Sequence, residues 1–464
     1  MAQAQQIEHV GLARVLGPAH VWALGVGIVL VGEYMGWNFS VGKGGAYAAL
    51  MACWFAGILY TCVAMIDSEV TSTVAAAGGQ YTQAKHIVGP LMAFNVGLYL
   101  VFAYTMLEAA NAITFGFLVD TVATISGHEG GVDQRPFIIL AIMFLAWLNY
   151  RGVLATLTFN LVITAIAFAA VIVLFLSTSG LVGDSPLRHS ELMSGQAAMP
   201  YGWLGVLAAM HFGLWYYLGI EGTTQAAEEV RSPARSLPFG TLAGVMTLAI
   251  AATLTWYVCA GLMPWEYLGQ AGVPLFDAAR LSGSTFLMAF LGIGTMFATL
   301  ASANGCINDA SRAWFAMARD RYLPGWFGAV HPKYRTPYRS IIFLVPIALI
   351  FALGAPIDQV ITFSILSGLL EYTFMPLNII LFRRKWPLDT IKRGYEHPFH
   401  PLPAYVLLVL CGAAFFAVFL GYGTQLVAMI AFYIVVSLWF HFWRYRFVDR
   451  GAQFTMPWPK PQGY

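Results

Sequence analysis

The sequence predicts an all-α integral membrane protein of twelve transmembrane helices, built as a 5+5 inverted repeat with helices 1 and 6 broken, plus two C-terminal helices. Three observations predict it. Of 464 residues, 59% are hydrophobic and only 10% charged, with a mean hydropathy of +0.69; soluble domains carry about 25% charged residues, so most of this chain is solvated by lipid. Apolar stretches approaching the ~20 residues that cross a bilayer recur twelve times. They fall near 19–40, 45–66, 91–120, 136–151, 153–180, 201–227, 238–263, 284–310, 340–355, 358–382, 402–421 and 424–443. Finally, the 24 Lys and Arg segregate by side. With the N-terminus inside, only Lys43, Arg135, Arg188 and Arg280 fall outside. A miscounted helix would scramble that positive-inside bias downstream.

The expected setting is therefore the cell membrane, multi-pass, with the lipid bilayer as partner and both termini cytoplasmic. One transporter domain covers 1–464: a first repeat in 1–180, an inverted repeat in 201–385, and helices 11 and 12 in 402–446. The net charge of +2 and the lack of a basic patch interleaved with aromatics argue against nucleic acid. The five cysteines lie singly inside apolar runs, as packing residues do. No metal-ligand or catalytic cluster of His, Cys and Asp marks the spans, and no G-x-x-x-x-G-K-[ST] loop is present. The chain thus reads as neither an enzyme nor an ATP-driven pump. No cofactor is expected beyond a coupling ion, H+ or Na+.

In chain order, the first informative span is Leu24 to Ser40, LGVGIVLVGEYMGWNFS. An ionised Glu33 at bilayer depth costs about 2.5 kcal/mol or more on insertion scales, so it needs a reason to be there. Gly32 and Gly36 would let the helix open, which membranes tolerate only around a cavity. Glu33 has two readings: it takes a substrate ammonium or a proton, or it caps amides freed by the break. Span three carries Glu108 and span ten Glu371, both mid-helix and candidates for proton or ion coupling. Span five has no lysine, and span eight carries Ser302, a candidate sodium ligand together with span-one carbonyls.

Span six reads HFGLWYYLGIEGTTQAAEE and repeats the theme of aromatics followed by glycine, glutamate and glycine. Gly32 and Gly219 each fall in the first helix of a five-helix unit. An odd number of helices per unit forces opposite orientations, the layout of inverted-repeat transporters. The likeness is topological, because aligning the glycines sets Glu33 against Ile220 and not Glu221. Glu221 reads either as a gating or proton group or as a brace for the break. His211, two turns earlier, is a proton-path candidate or a packing histidine. Tyr34, Trp37, Trp215 and Tyr216 offer aromatic faces for an alkylammonium, each worth about 0.5–2 kcal/mol. Asn38 offers a hydrogen bond to a hydroxyl.

Several blocks together resemble the amino acid–polyamine–organocation (APC) superfamily. DSEVTSTVAAAGGQYTQAKHIVGP after span two is similar to its E-x5-P-x-x-G-G-x-Y-x7-G-P stretch, with Ala75 or a neighbour in place of the proline. LGIEGTTQAAEEVRSPARSLP resembles its G-F-E … E-V-K-N-P-x-R-x-I-P signature. ASRAWFAMARDRYLPGWFGAVHPKYRTP resembles its S-R-x-x-x-A-M-A-R-D-G-x-L-P … H-P-K … T-P pattern, with Arg321 where glycine is usual. Amino acid permeases of the superfamily typically carry G-S-x-x-G-x-G-x-F in helix 1, leaving amides bare for a carboxylate. Here Trp37 and Asn38 fill that place and Glu33 adds a negative charge, which attracts an ammonium and repels a carboxylate. The G-[DE]-[FY]-x-G-W-N run is most like the ethanolamine permease branch. The resemblance implies a secondary permease importing ethanolamine or a similar small amino alcohol by alternating access. The alternative is an amino acid or polyamine permease or exchanger of the same superfamily; a passive channel or sensor on this fold is a further rival.

Overall fold

The computed structural model describes residues 12, 14–73, 75–128, 130–194 and 198–448. Arg450 and Lys460, counted above among the inner cations, lie outside them. The first span is three consecutive helices, α1 (Pro18–Val29), α2 (Val31–Met35) and α3 (Trp37–Gly44). There follow α4 (Ala46–Thr73), α5 (Gly79–Ile87), α6 (Pro90–Ile125), α7 (Arg135–Arg151), α8 (Val153–Thr178) and the single turn α9 (His189–Leu192). Span six is α10 (Gly202–Gly213), continued by the 3₁₀ turns Leu214–Tyr216, Ile220–Thr224 and Ala227–Glu229. Then come α11 (Pro233–Leu262), α12 (Trp265–Leu268), α13 (Pro274–Leu281), α14 (Thr285–Arg319), α15 (Tyr338–Gly354), α16 (Ile357–Lys385) and α17 (Leu402–Phe442).

Among the described residues, nine helical segments are long and apolar enough to cross a membrane. The short apolar α15, like α7, has 17 residues. At 1.5 Å per residue each reaches about 26 Å, just short of the ~30 Å hydrocarbon core. α17 has 41 residues, roughly twice that core, and leaves helical geometry once, at Tyr422 (φ −140°, ψ 42°). Proline opens α1, α6, α7 and α11, where its missing N–H costs nothing. The core is made by α6 against α14 and α16, α4 against α10 and α11, and α1 against α8, α11 and α14. The two interrupted spans thereby lie at the centre of the bundle.

The interruptions are unequal. Span one pauses at Leu30 and Gly36, and both residues stay in the right-handed helical region. Span six abandons the α-helix at Gly213, and Gly219 takes φ +108°, a left-handed conformation open to glycine at little cost. Gly32 and Gly36, expected to let span one open, instead let it touch span six. A Cβ on Gly32 would lie 2.7 Å from the Trp215 carbonyl oxygen, and one on Gly36 would lie 3.0 Å from the Tyr216 ring.

Candidate functional site

Glu33 sits on α2, fully buried, and neither carboxylate oxygen has a hydrogen-bond partner among the described residues. Among the described residues no other residue's amide donates to it. Its charge reaches Cys53 on α4 and the Tyr216 and Tyr217 rings of span six. Trp37, one helical turn on and so on the same face, stacks on Tyr216 with centroids 4.3 Å apart, and its indole N–H donates to Thr255 Oγ1 at 2.9 Å. The Tyr216 and Ser40 hydroxyls bond each other. Tyr217 stacks on Tyr60 and lies against the Cys53 thiol. A buried carboxylate faced by aromatic rings and lacking a donor has its strongest unmet need for a cation.

Tyr34 does not join this face. Its hydroxyl donates 2.6 Å to the Ala167 carbonyl on α8. Asn38 turns its carbonyl oxygen to the Phe39 amide and lines a cavity of about 200 Å³ with Met35, Phe39, Phe117, Asp120 and Trp215. The Trp215 indole N–H is buried and unpartnered at that cavity. Glu33 is not among the lining residues; the cavity begins one turn beyond it.

Glu221 has the opposite surroundings. Oε1 accepts from the Tyr372 hydroxyl at 2.7 Å and from Tyr104 at 3.5 Å, and Oε2 accepts from the Gly219 amide at 3.2 Å. It therefore ties the left-handed turn of span six to α6 and α16. Ser302 donates to the Ile28 carbonyl and accepts from Asn111 at 2.6 Å, joining spans one, three and eight. Glu108 is buried one turn before Asn111, with Oε1 unpartnered, and Glu371 is buried with both oxygens unpartnered. His211 stands away from Glu33, packed between Phe212 and Tyr422.

The basic end of the bundle is shut by ion pairs. Arg312 meets Glu229 through two bonds of 3.0 and 3.1 Å, with both side chains fully buried. Glu69 takes Arg383, Arg393 and the His397 amide. Burial, reinforced by Arg383, His400 and Arg393 and opposed by Glu69, holds the His397 imidazole down to about 4, so it is neutral there. The chain before α1 pairs with the span-six exit as an isolated bridge, Leu16 to Val230. Among the described residues no group of three His, Cys, Asp or Glu is placed to hold a metal.

A family model described as amino acid permease matches residues 16–458. The chain belongs to the amino acid permease family. It is 77% identical over 461 residues to an uncharacterized transporter of Rhizobium meliloti (strain 1021), covering 99% of this chain and 98% of that one. It is also 25% identical to the methylthioribose transporter of Bacillus subtilis (strain 168), covering 86% of this chain and 87% of the other. The branched-chain amino acid permease BcaP of the same organism is 22% identical, over 86% and 84%. The protein is thus a multi-pass membrane transporter of the APC superfamily, and its family and relatives indicate a permease and not an enzyme.

Sequence reasoning missed Cys53 on the Glu33 side and Asp120 at the cavity. No local signal marks Cys53 or Asp120, because each reaches the site only through packing. Residues i and i+1 of a helix point about 100° apart whereas i and i+4 share a face, which is why the Tyr34 hydroxyl goes to α8 while Trp37 lies on the Glu33 side.

Proposed function

We propose that this permease imports ethanolamine or a similar small amino alcohol by alternating access between the two interrupted spans. The observation that carries the reading is Glu33, a buried carboxylate with both oxygens unpartnered. The substrate ammonium pairs with Glu33 against the Tyr216 and Tyr217 rings, and Trp37 fills the place where a carboxylate would otherwise sit. Asn38 and the free Trp215 N–H are the groups for the hydroxyl. In this reading α7, α15 and the two halves of α17 all cross the bilayer, giving twelve spans, and the basic end faces the cytoplasm with both termini. An inward-negative potential favours a monovalent cation by about 2.3 kcal/mol per 100 mV.

Detergent-purified protein screened by thermal shift with ethanolamine, choline, free amino acids and polyamines tests the proposal. A ligand that binds the folded state raises the melting temperature by mass action. Ethanolamine stabilises and amino acids do not, if the reading is right. Stabilisation by branched-chain or other amino acids alone supports the second reading, an amino acid permease, which the BcaP relative favours.

A further inference from the structure

Apart from Glu33, the buried carboxylates on span six and the elements packed against it include Asp67, Glu221 and Glu371, and these three differ in their donors. Asp67 on α4 accepts from Gln80 at 2.6 Å, Gln83 at 2.7 Å and Thr71. Glu221 accepts from Tyr372, Tyr104 and the Gly219 amide. Glu371 precedes Tyr372 in α16, is 1% exposed, and has no hydrogen bond on either oxygen among the described residues. Its chain neighbour Tyr372 bonds Glu221, and Gln80, which bonds Asp67, also reaches the Glu221 carbonyl at 3.4 Å, so one hydrogen-bonded network joins Glu221 and Asp67 next to it. Around it α4 presents Tyr60, which bonds Tyr372, and α6 presents Tyr104. α17 presents the Cys411 thiol beside Thr373, and α5 the neutral Gln80 and Gln83, both already engaged by Asp67. The α15 cation Arg339 is engaged by Tyr338 and Trp326. α5 also carries His86 and Lys85, the latter paired with Asp320 at 3.0 Å, and α6 carries the buried Glu108. Among the described residues no ion pair reaches Glu371.

Three carboxylates in one apolar region cannot all carry charge, since like charges at short range disfavour each other's ionisation. Asp67 and Glu221 each have donors that hold a carboxylate in place, and Glu371 has none, which makes it the member of the three suited to carry a proton. We propose that Glu371 is the proton-coupling site of the transport cycle, with Glu221 as its charged partner. Because Glu221 also holds the Gly219 amide, the proton's presence and the shape of the break are linked. While Glu371 is neutral, the Tyr372–Glu221–Gly219 clamp stands. Losing the proton to water places a second charge beside Glu221, and the two repel across the clamp that fixes span six. One proton is bound and released per cycle, and the bonds it disturbs are those of the Tyr372–Glu221–Gly219 clamp. Glu371 is a positioning and proton-holding residue and does not touch the substrate. The inference rests on the transporter reading but not on the identity of the substrate.

Infrared difference spectra of purified protein between acid and alkaline pH, recorded without substrate, test the site itself. Wild type shows the carbonyl stretch of a protonated carboxylic acid that Glu371→Gln lacks; identical spectra for the two proteins would overturn the assignment. The coupling is tested in proteoliposomes with labelled ethanolamine, or with whichever compound the thermal-shift panel selects. Wild type accumulates it when an inside-alkaline pH gradient drives protons inward. Glu371→Gln keeps counterflow exchange within about twofold but loses the gradient-driven accumulation, and Glu371→Asp retains accumulation with a displaced pH profile. Wild-type uptake indifferent to the gradient, or Glu371→Gln accumulating like wild type, would refute the proposal. Failure of ethanolamine to bind at all would count against the substrate reading and leave the infrared result standing.

Discussion

Glu33 and Glu221 are both buried carboxylates beside interruptions in central helices, yet among the described residues Glu221 accepts three hydrogen bonds from other residues and Glu33 none. The backbone explains the difference. Span six is unwound, with Gly219 left-handed and its amide free, so a nearby carboxylate is recruited to satisfy it. Span one stays in the right-handed helical region at both of its pauses, so its backbone departs far less from the helix beside Glu33. A charge that repairs nothing in its own fold is the one available to a ligand. The same two glutamates, read by composition alone, look interchangeable.

The contrast can be broken by mutation, starting where the effect is largest. Arg312→Ala leaves Glu229 buried without its partner at the exit of span six, and losing one member of such a pair costs about 3–5 kcal/mol. The variant should melt far below wild type in detergent; an unchanged melting curve would mean the exit is held by something else. Gly32→Ala forces a methyl against the Trp215 carbonyl, 2.7 Å away, where the neighbour is backbone and cannot swing aside. Overpacking of this kind costs about 1–3 kcal/mol, so stability and uptake should both fall. Retention of both would show that the spans separate easily. Glu221→Gln keeps one acceptor but loses the charge that strengthens bonds to Tyr372 and Gly219, at about 1–3 kcal/mol. Its amide protection near Gly219, read by hydrogen exchange, should drop before the rest of the protein.

The smallest effect concerns the basic end. His397 has an ordinary value of 6.5 and is held down to about 4 in the folded protein. As pH falls through that window the unfolded chain gains a proton that the folded chain refuses, so stability is full above 6.5 and is lost towards 4. His397→Gln should flatten the melting-temperature profile over that range alone; an unaltered slope would remove His397 from the latch.

Much of this was legible in the chain. Spans and breaks follow from apolar length and from glycine beside glutamate, because lipid leaves few alternatives for backbone polar groups. Glu33 was legible as an isolated charge because no other ionisable side chain but Tyr34 stands between His20 and Lys43. What it faces was not. Tyr217 and Cys53 are brought to it by the crossing of spans one, two and six, a tertiary fact with no local signature. The bond from Tyr34 to α8 has no local signature either, and the first break is shallower than its glycines suggest because glycine permits close packing as readily as unwinding. The role of Glu221 as a brace depends on Tyr372, more than a hundred residues away.

The central claim is that Glu33 is spared by the fold in order to meet an amine, and Glu33→Gln tests it most directly. Calorimetric titration of ethanolamine into purified wild type and variant, with melting temperatures measured on the same samples, gives both halves of the answer. The account predicts a melting temperature equal to or above that of wild type, with affinity lowered tenfold or more, about 1.4 kcal/mol. Near-normal affinity in a well-folded variant would contradict it.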